Sequence, residues 1–397
     1  MKNNLSQWLL RILMVLVVGL IAFLSIKRVC MSKKPYPPKV AMLENLKKTL
    51  QKLPPFSMEA CDQFEKDLRI FDSVKNNDYL SFGRVDYHSD TQTFWLKCVP
   101  HVFGDFVRRM NSLFDYLNHL QFKCPYNFSF FITIGDLAYL SEDISKKIYD
   151  IPFLCMDRTL NGSGLEKAII VPDYHVIDCH YETTIQNITK NIKKKKFFPR
   201  LDVAGWRGAQ SNSYLNNNGK KFLFDLSAIG IFPRLDLVLF SVAHPDYVDA
   251  KFNDYTLRIE SGEEGEKYID FMYKTCGPPA PFVPFEEMVK YKYNVSLDGG
   301  VSAWGRTPWV LFTKSVLLYH SIFETFYTPY FKPYVHYIPI KPDMSDMKEK
   351  IDELRANPEL YKKIVKNGSQ FAEEIFTPEA IKEYWVAVLK GISAKFA

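Results

Sequence analysis

The stretch "YNVSLDGGVSAWGRTPW" (residues 293–309) begins like a strand and turns at Asp298-Gly299-Gly300. It then gathers Ser302, Trp304, Arg306 and Trp309 just ahead of the apolar run "VLFTKSVLLYH" (310–320). The two glycines permit a tight turn and let another molecule approach the backbone closely. Arg306 would open the next helix, a position where an anion is favoured. Strand, turn, helix start and second strand in that order predict an α/β layer architecture.

Working outward, the same alternation recurs on the N-terminal side. "FSFFITI" (128–134) is a fully buried type of strand ended by Gly135-Asp136, and "IPFLCM" (151–156) and "KAIIVP" (167–172) are shorter ones. "FGDFVRRMNSLFDYLNHL" (103–120) has the spacing of a helix. A second unit starts after "NIKKKKFF" (191–198), whose lysine run reads as a solvated linker or helix face. It continues through "DVAGWRGA" (202–209), a strand running into a turn, then "RLDLVLFSVA" (234–243) and "VHYIPI" (335–340). The end of the chain is helical. Asp346 with Glu349 forms a capping-box pattern, Asn357-Pro358 and Thr377-Pro378 read as N-caps, and Gly368 reads as a C-terminal stop.

Length and composition frame these units. A chain of 397 residues accommodates two domains. A net charge of +6 without a basic stripe argues against a nucleic-acid partner. "WLLRILMVLVVGLIAFLSI" (Trp8 to Ile26) is about as long as the ~20 residues a bilayer requires, which predicts a retained single-pass membrane anchor. Residues 27–60 read as a stem, in which an extended Pro-Tyr-Pro-Pro is followed by a short basic amphipathic helix and Pro54-Pro55. The seven cysteines, at irregular spacing and without C-x-x-C, define neither a zinc site nor a disulfide framework. Sequons at Asn127, Asn161, Asn187, Asn294 and Asn367 are weak votes for a lumenal location, against the basic residues that follow the apolar span.

Several chemistries lack their motifs. The chain has no H-E-x-x-H, no phosphate-binding P-loop and no G-x-G-x-x-G after a strand, and "GVSAW" departs from a nucleophile elbow at Trp304. It has no D-x-D either, so arginines and backbone amides would have to carry the phosphate charge of any nucleotide donor. Three loops could do so. "GWRGAQS" (205–211) offers Arg207, which could equally be a structural arginine tying a turn. "DGGVSAWGRTPW" (298–309) offers Arg306. "FETF" (323–326) offers Glu324, able to accept bonds from sugar hydroxyls. Asp136, directly after an apolar strand, is either a helix N-cap or a general base facing a ligand crevice.

These residues bear a resemblance. "KYKYNVSLDGGVSAWGRTPWVLFTKSVLLYH" (290–320), followed by "FETFYTPYFKPYVHYIPIKPDMSD" (323–346), resembles the pattern of glycosyltransferase family 90. That family includes fungal capsule-associated xylosyltransferases, animal protein O-glucosyltransferases and bacterial lipopolysaccharide-modifying enzymes. "WRGAQS" is similar to its aromatic-Arg-Gly turn, and "NGSQFAEEIFTPEAIKEYWVAVL" (367–389) to its C-terminal helices. The match runs over roughly residues 128–390 and is specific in the second half.

The resemblance implies a glycosyltransferase B-type fold of two Rossmann-like lobes. In this chain they would be an acceptor-side lobe (61–195) and a nucleotide-sugar lobe (196–370), with a C-terminal helix (371–397) packing back on them. It implies inverting transfer of a hexose or pentose, glucose or xylose favoured, from a UDP-sugar co-substrate without an obligate metal. By motif position Asp136 would deprotonate the acceptor hydroxyl. Arg207 and Arg306 would bind the diphosphate, and Gly208, Ser211, Asp298, Gly299 and Ser302 would be further substrate-binding residues; Glu324 would line the nucleoside or sugar pocket, and Trp304 and Trp309 would close it.

Two departures stand out. Many members carry a second arginine several residues after the aromatic-Arg-Gly turn, where this chain reads "AQSNSYLNNNGKK" (209–221), leaving that role vacant or passed to Lys220 or Lys221. "IGDLAYL" (134–140) replaces the Arg-Asp form common in the protein O-glucosyltransferases. The partners implied are a UDP-sugar, a protein, glycan or lipid-linked saccharide acceptor, and a membrane reached through the N-terminal helix. The location implied is the lumen of the endoplasmic reticulum or Golgi in a eukaryote and the inner membrane in a bacterium. The alternative is a catalytically silent relative that binds glycans or a protein.

Overall fold

The computed structural model describes residues 37–75, 82–98, 104–133, 146–159, 165–194, 199–209, 233–255 and 263–397. In chain order the first half runs α1 (Pro38–Gln51), α2 (Met58–Lys75), β1 (Phe82–His88), β2 (Thr93–Cys98), α3 (Gly104–His119), β3 (Phe128–Thr133), β4 (Phe153–Cys155), β5 (Asp157–Thr159), β6 (Ile169–Ile170), α4 (Tyr174–Ile177) and α5 (Tyr181–Lys194). The second runs β7 (Leu201–Ala209), α6 (Pro233–Ala243), β8 (Val248–Asp254), α7 (Glu263–Cys276), β9 (Tyr291–Leu297), α8 (Arg306–Phe312), β10 (Val316–His320), β11 (Phe323–Thr325), β12 (Ile338–Pro339), α9 (Met347–Ala356), α10 (Pro358–Ile375) and α11 (Pro378–Ser393).

Two five-stranded sheets result. The second has the order β12-β10-β9-β7-β8, and every pair in it is parallel. Its central strand β9 is buried on both faces, with Tyr291, Tyr293, Val295 and Leu297 on one at 0–1% exposure and the polar Asn294 and Ser296 on the other at 0%. The first sheet, β2-β1-β3-β4-β6, is mixed: β1 pairs antiparallel with both β2 and β3, whereas β3, β4 and β6 run parallel. A two-stranded ribbon, β5 against β11, joins residues of the two halves.

The expected fold class needs correction. The chain is mixed α/β with sheets, but no helix among the described residues is long and apolar enough to cross a membrane. The span Trp8 to Ile26 lies outside the described residues.

The stretch read as a stem contains α1, which buries Met42, Leu46 and Leu50 in a core shared with Phe371, Trp385 and Leu389. Its partner is α11. The Lys395 ammonium donates to the Gln51 carbonyl at 3.0 Å, Phe56 N–H donates to the Lys395 carbonyl at 2.8 Å, and the Phe56 and Phe396 rings lie 5.9 Å apart. The first and last of the described helices therefore clasp each other.

At the C-terminal end, Asn357 and Thr377 accept from the N–H groups of Leu360 and Ala380, as their N-cap positions predict. Asp346 does not cap by side chain; its carboxylate takes the Lys341 N–H instead. Gly368 does not end a helix but lies inside α10, where a Cβ would come 2.9 Å from the His336 carbonyl oxygen. Close packing, not chain termination, is what that glycine serves. The expected C-terminal helix is divided by Thr377-Pro378 into the end of α10 and α11.

Candidate functional site

On β7 the side chains alternate, so Trp206 is buried in the core of the second sheet while Arg207 faces the other way beside Asp249 of β8. The Arg207 guanidinium donates to the carbonyl oxygens of Trp206 and Asp249 and to the Asp249 carboxylate, each at 2.7 Å. The Tyr291 hydroxyl donates to the second Asp249 oxygen. Burial alone would raise the Asp249 pKa, but Tyr291 and Arg207 outweigh it and hold the group below the usual carboxylate value. The charge of Arg207 is thus balanced within the site.

Arg306 differs. It is the first residue of α8, as its position after the glycine turn predicts. Its Nη2 donates to the Arg207 carbonyl at 2.6 Å, and its guanidinium carbon lies 5.5 Å from the ring centres of both Trp206 and Trp309. Among the described residues no carboxylate pairs with it. Burial pulls its pKa down to about 9, and the nearby Arg234 charge adds to the effect. Arg234, in the first turn of α6, donates to the carbonyls of Ala209 at 3.0 Å and Leu297 at 3.2 Å and sits 5.9 Å from the Trp206 ring. Burial pulls it to about 10, with Asp298 opposing.

A cavity of 190 Å³ opens here, lined by Arg207, Gly208, Phe285, Met288, Arg306 and Trp309 among others. That is below the ~300–1,000 Å³ of pockets that enclose a whole ligand, and fits one portion of a larger molecule. Phe285 stacks on Trp309 with ring centres 4.5 Å apart, which fixes one wall. Gly208, also in the lining, packs closely on Trp206, whose ring a Cβ there would meet at 2.6 Å.

The other anticipated residues lie elsewhere. Asp298 closes the turn after β9 and accepts the Ile322 N–H at 2.8 Å. Burial pushes its pKa up to about 7; the Ile322 and Ser321 bonds lower it, and Asp157 adds to the rise. Gly299 N–H donates to the Val301 carbonyl at 2.8 Å, tightening that turn. Ser302 and Trp304 do not line the cavity with Trp309. Their main-chain and indole N–H groups both donate, at 2.8 Å, to one oxygen of Asp157 on β5. Burial raises Asp157 to about 6 despite these bonds.

Glu324 lies on the short strand β11, where the sequence suggested a loop. It faces Arg158 across the β5–β11 ribbon and accepts from Nε at 2.9 Å and Nη2 at 2.7 Å. Both line a separate cavity of 520 Å³. Asp136, Ser211, Lys220 and Lys221 lie outside the described residues. Asn294, the sequon within the pattern, is fully buried and donates from Nδ2 to the Met288 carbonyl, so in this fold no glycan reaches it.

Sequence reasoning passed over Arg234, Asp249 and Asp157. A signal for Arg234 was present: a cation in the first turn of a helix opposes the macrodipole, which calls for a reason outside the helix. Asp157 carried none, being one polar residue in a run of short strands.

The sequence pattern described as glycosyl transferase family 90 matches residues 165–396, more than half of the chain, and the chain belongs to that family. Among curated proteins it is similar to protein O-glucosyltransferase 3 of Mus musculus, 28% identical over 68% of this chain and 47% of that one. It is 27% identical to protein O-glucosyltransferase 2 of Danio rerio over 66% and 46% of the two chains. With protein O-glucosyltransferase 1 of Rattus norvegicus it shares 34% identity over 40% and 38%. The chain spans about half the length of the first two.

Proposed function

We propose that the protein is a glycosyltransferase that moves a sugar from a UDP-sugar to a hydroxyl of a protein, with inversion and without an obligate metal. One observation carries the reading. Arg306 is enclosed between Trp206 and Trp309 without a carboxylate partner among the described residues, and lines a cavity with Arg207 while Arg234 stands beside it. A buried guanidinium without a counter-ion is unfavourable until an anion arrives. Arginine's planar fork suits a phosphate oxygen pair.

The diphosphate of a nucleotide sugar would supply that anion. As the acceptor oxygen attacks the anomeric carbon from the side opposite UDP, negative charge grows on the departing diphosphate, where the arginines are already fixed. Removing a donor so placed costs ~10²–10³ in rate. Arg234 would take the second-arginine role that is vacant after Arg207 in the sequence. Asp136 remains the proposed base by its position in the pattern. The names of the relatives support glucose as the sugar and a protein as the acceptor.

The test is UDP release by the full chain from UDP-glucose, UDP-xylose, UDP-galactose and UDP-N-acetylglucosamine, with and without EDTA. Release from one donor, indifferent to EDTA and abolished in Arg306→Ala, is the expected result. No release from any donor, together with no thermal shift on adding UDP, overturns the proposal.

A further inference from the structure

We propose that Asp157, upstream of the family-matched residues, is a positioning residue for donor binding that holds the turn 302–304 so that Arg306 stands against the cavity. The inference rests on the donor reading above. A single oxygen of Asp157 takes both the Ser302 main-chain N–H and the Trp304 indole N–H, each at 2.8 Å. It therefore fixes the backbone and a side chain of the turn together. Asp157 and Trp304 are 3% and 5% exposed, so water does not compete for these bonds.

The rest of the turn is held from the same side. The Trp304 ring meets the edge of Tyr174 at 5.6 Å and lies beneath the Arg109 guanidinium at 5.2 Å. Gly305 is so close to His175 that a Cβ would come within 2.9 Å of it. Two residues past Trp304 the chain reaches Arg306, whose own N–H donates back to the Ala303 carbonyl at 3.1 Å.

The second half thus supplies the arginine, at the start of α8, while first-half residues set where the turn before it rests. Asp157 is itself fixed by the ladder that places it opposite Thr325. Donor geometry is in this way made to depend on β5, a strand outside the lining of the arginine cavity. A shift of the turn by a fraction of an ångström would move Arg306 relative to Arg207, whose carbonyl it already bonds.

Three variants of the full chain test this. Asp157→Asn can keep an acceptor oxygen where both N–H groups converge. Asp157→Leu keeps the same branched skeleton, in a bulkier form, and has no acceptor. Tyr181→Phe is the control: it loses another buried bond between distant segments, Tyr181 hydroxyl to Phe376 carbonyl at 2.8 Å, without touching the turn. UDP is titrated by thermal shift, and KM and kcat for UDP-glucose hydrolysis are read separately.

Asp157→Leu should raise the half-saturating UDP concentration about tenfold or more and raise KM with it, whereas Asp157→Asn should stay within about threefold of wild type. Tyr181→Phe should lower the melting midpoint and leave UDP half-saturation unchanged. Should Asp157→Leu not fold, Trp304→Phe, which removes only the indole donor, is expected to weaken UDP binding to an intermediate degree. Unchanged UDP affinity in Asp157→Leu or Trp304→Phe, or losses in Asp157→Leu and Tyr181→Phe that track their stability alike, overturns the inference. Wild-type protein that ignores UDP overturns the donor reading itself.

Discussion

Arg306→Met separates a ligand-binding arginine from a structural one. At pH 7, keeping the guanidinium charged with a pKa of about 9 rather than 12.5 costs about 5 kcal/mol. The hydrogen bond to the Arg207 carbonyl returns ~1.5–3 kcal/mol, and the contacts with the Trp206 and Trp309 rings ~0.5–2 kcal/mol each. The balance is near zero. Methionine, which fills much of the same slot without the charge, should leave stability in urea within about 1 kcal/mol of wild type.

Arg84 sets the contrast. It is 1% exposed and pairs with Asp62, Glu65 and Asp86, so Arg84→Met strands buried carboxylate and should cost ~3–5 kcal/mol. The assay is urea unfolding with and without UDP at about 100 times its Kd, which stabilises wild type by about 2.7 kcal/mol and Arg306→Met not at all. Arg306→Met that loses stability as Arg84→Met does, or that still responds to UDP, refutes the reasoning.

Further outcomes follow from the same geometry. With its pKa raised to about 7 from an ordinary 3.8, Asp298 contributes stability that is full below about pH 4 and is lost as pH rises through 7. Asp298→Asn should therefore be more stable than wild type at pH 8, by roughly 2–4 kcal/mol, with the gap shrinking toward pH 5; a gap independent of pH in urea titrations would show that the carboxyl does not titrate there. Gly208→Ala, whose Cβ would meet the Trp206 ring at 2.6 Å, should narrow the cavity and abolish the UDP thermal shift; an undiminished shift counts against the cavity as the donor site. Gly368→Ala should cost about 1–3 kcal/mol in denaturant, because the obstacle at 2.9 Å is backbone, whereas a gain would mean that helix propensity dominates.

The residues most legible in the sequence were those whose neighbours are close in the chain. "YNVSLDGGVSAWGRTPW" folds as strand, turn and helix start because its signals are local: an apolar run, paired glycines, then a helix opened by Arg306. The helix over residues 38–51 was legible as a short basic amphipathic segment, but its place in the core was not. It completes that core with α11 at the far end of the chain, and no local signal reports so distant a partner. Gly368 followed the same logic, since its partner is the His336 carbonyl and not its own helix. At the site, Arg306 stood out beside its glycines, whereas Asp157 works through residues 145 and 147 positions away, and no local pattern reports such a bond.

The clasp between α1 and α11 also bears on synthesis. Met42, Leu46 and Leu50 emerge from the ribosome early, yet α11, the helix that covers them, is made far later. At ~5–20 residues per second, the roughly 340 residues between them take on the order of 20–70 s. For that interval the growing chain displays an apolar strip with nothing to rest on. Nascent-chain chaperones would have a defined target there, and a premature stop anywhere before α11 would make the exposure permanent.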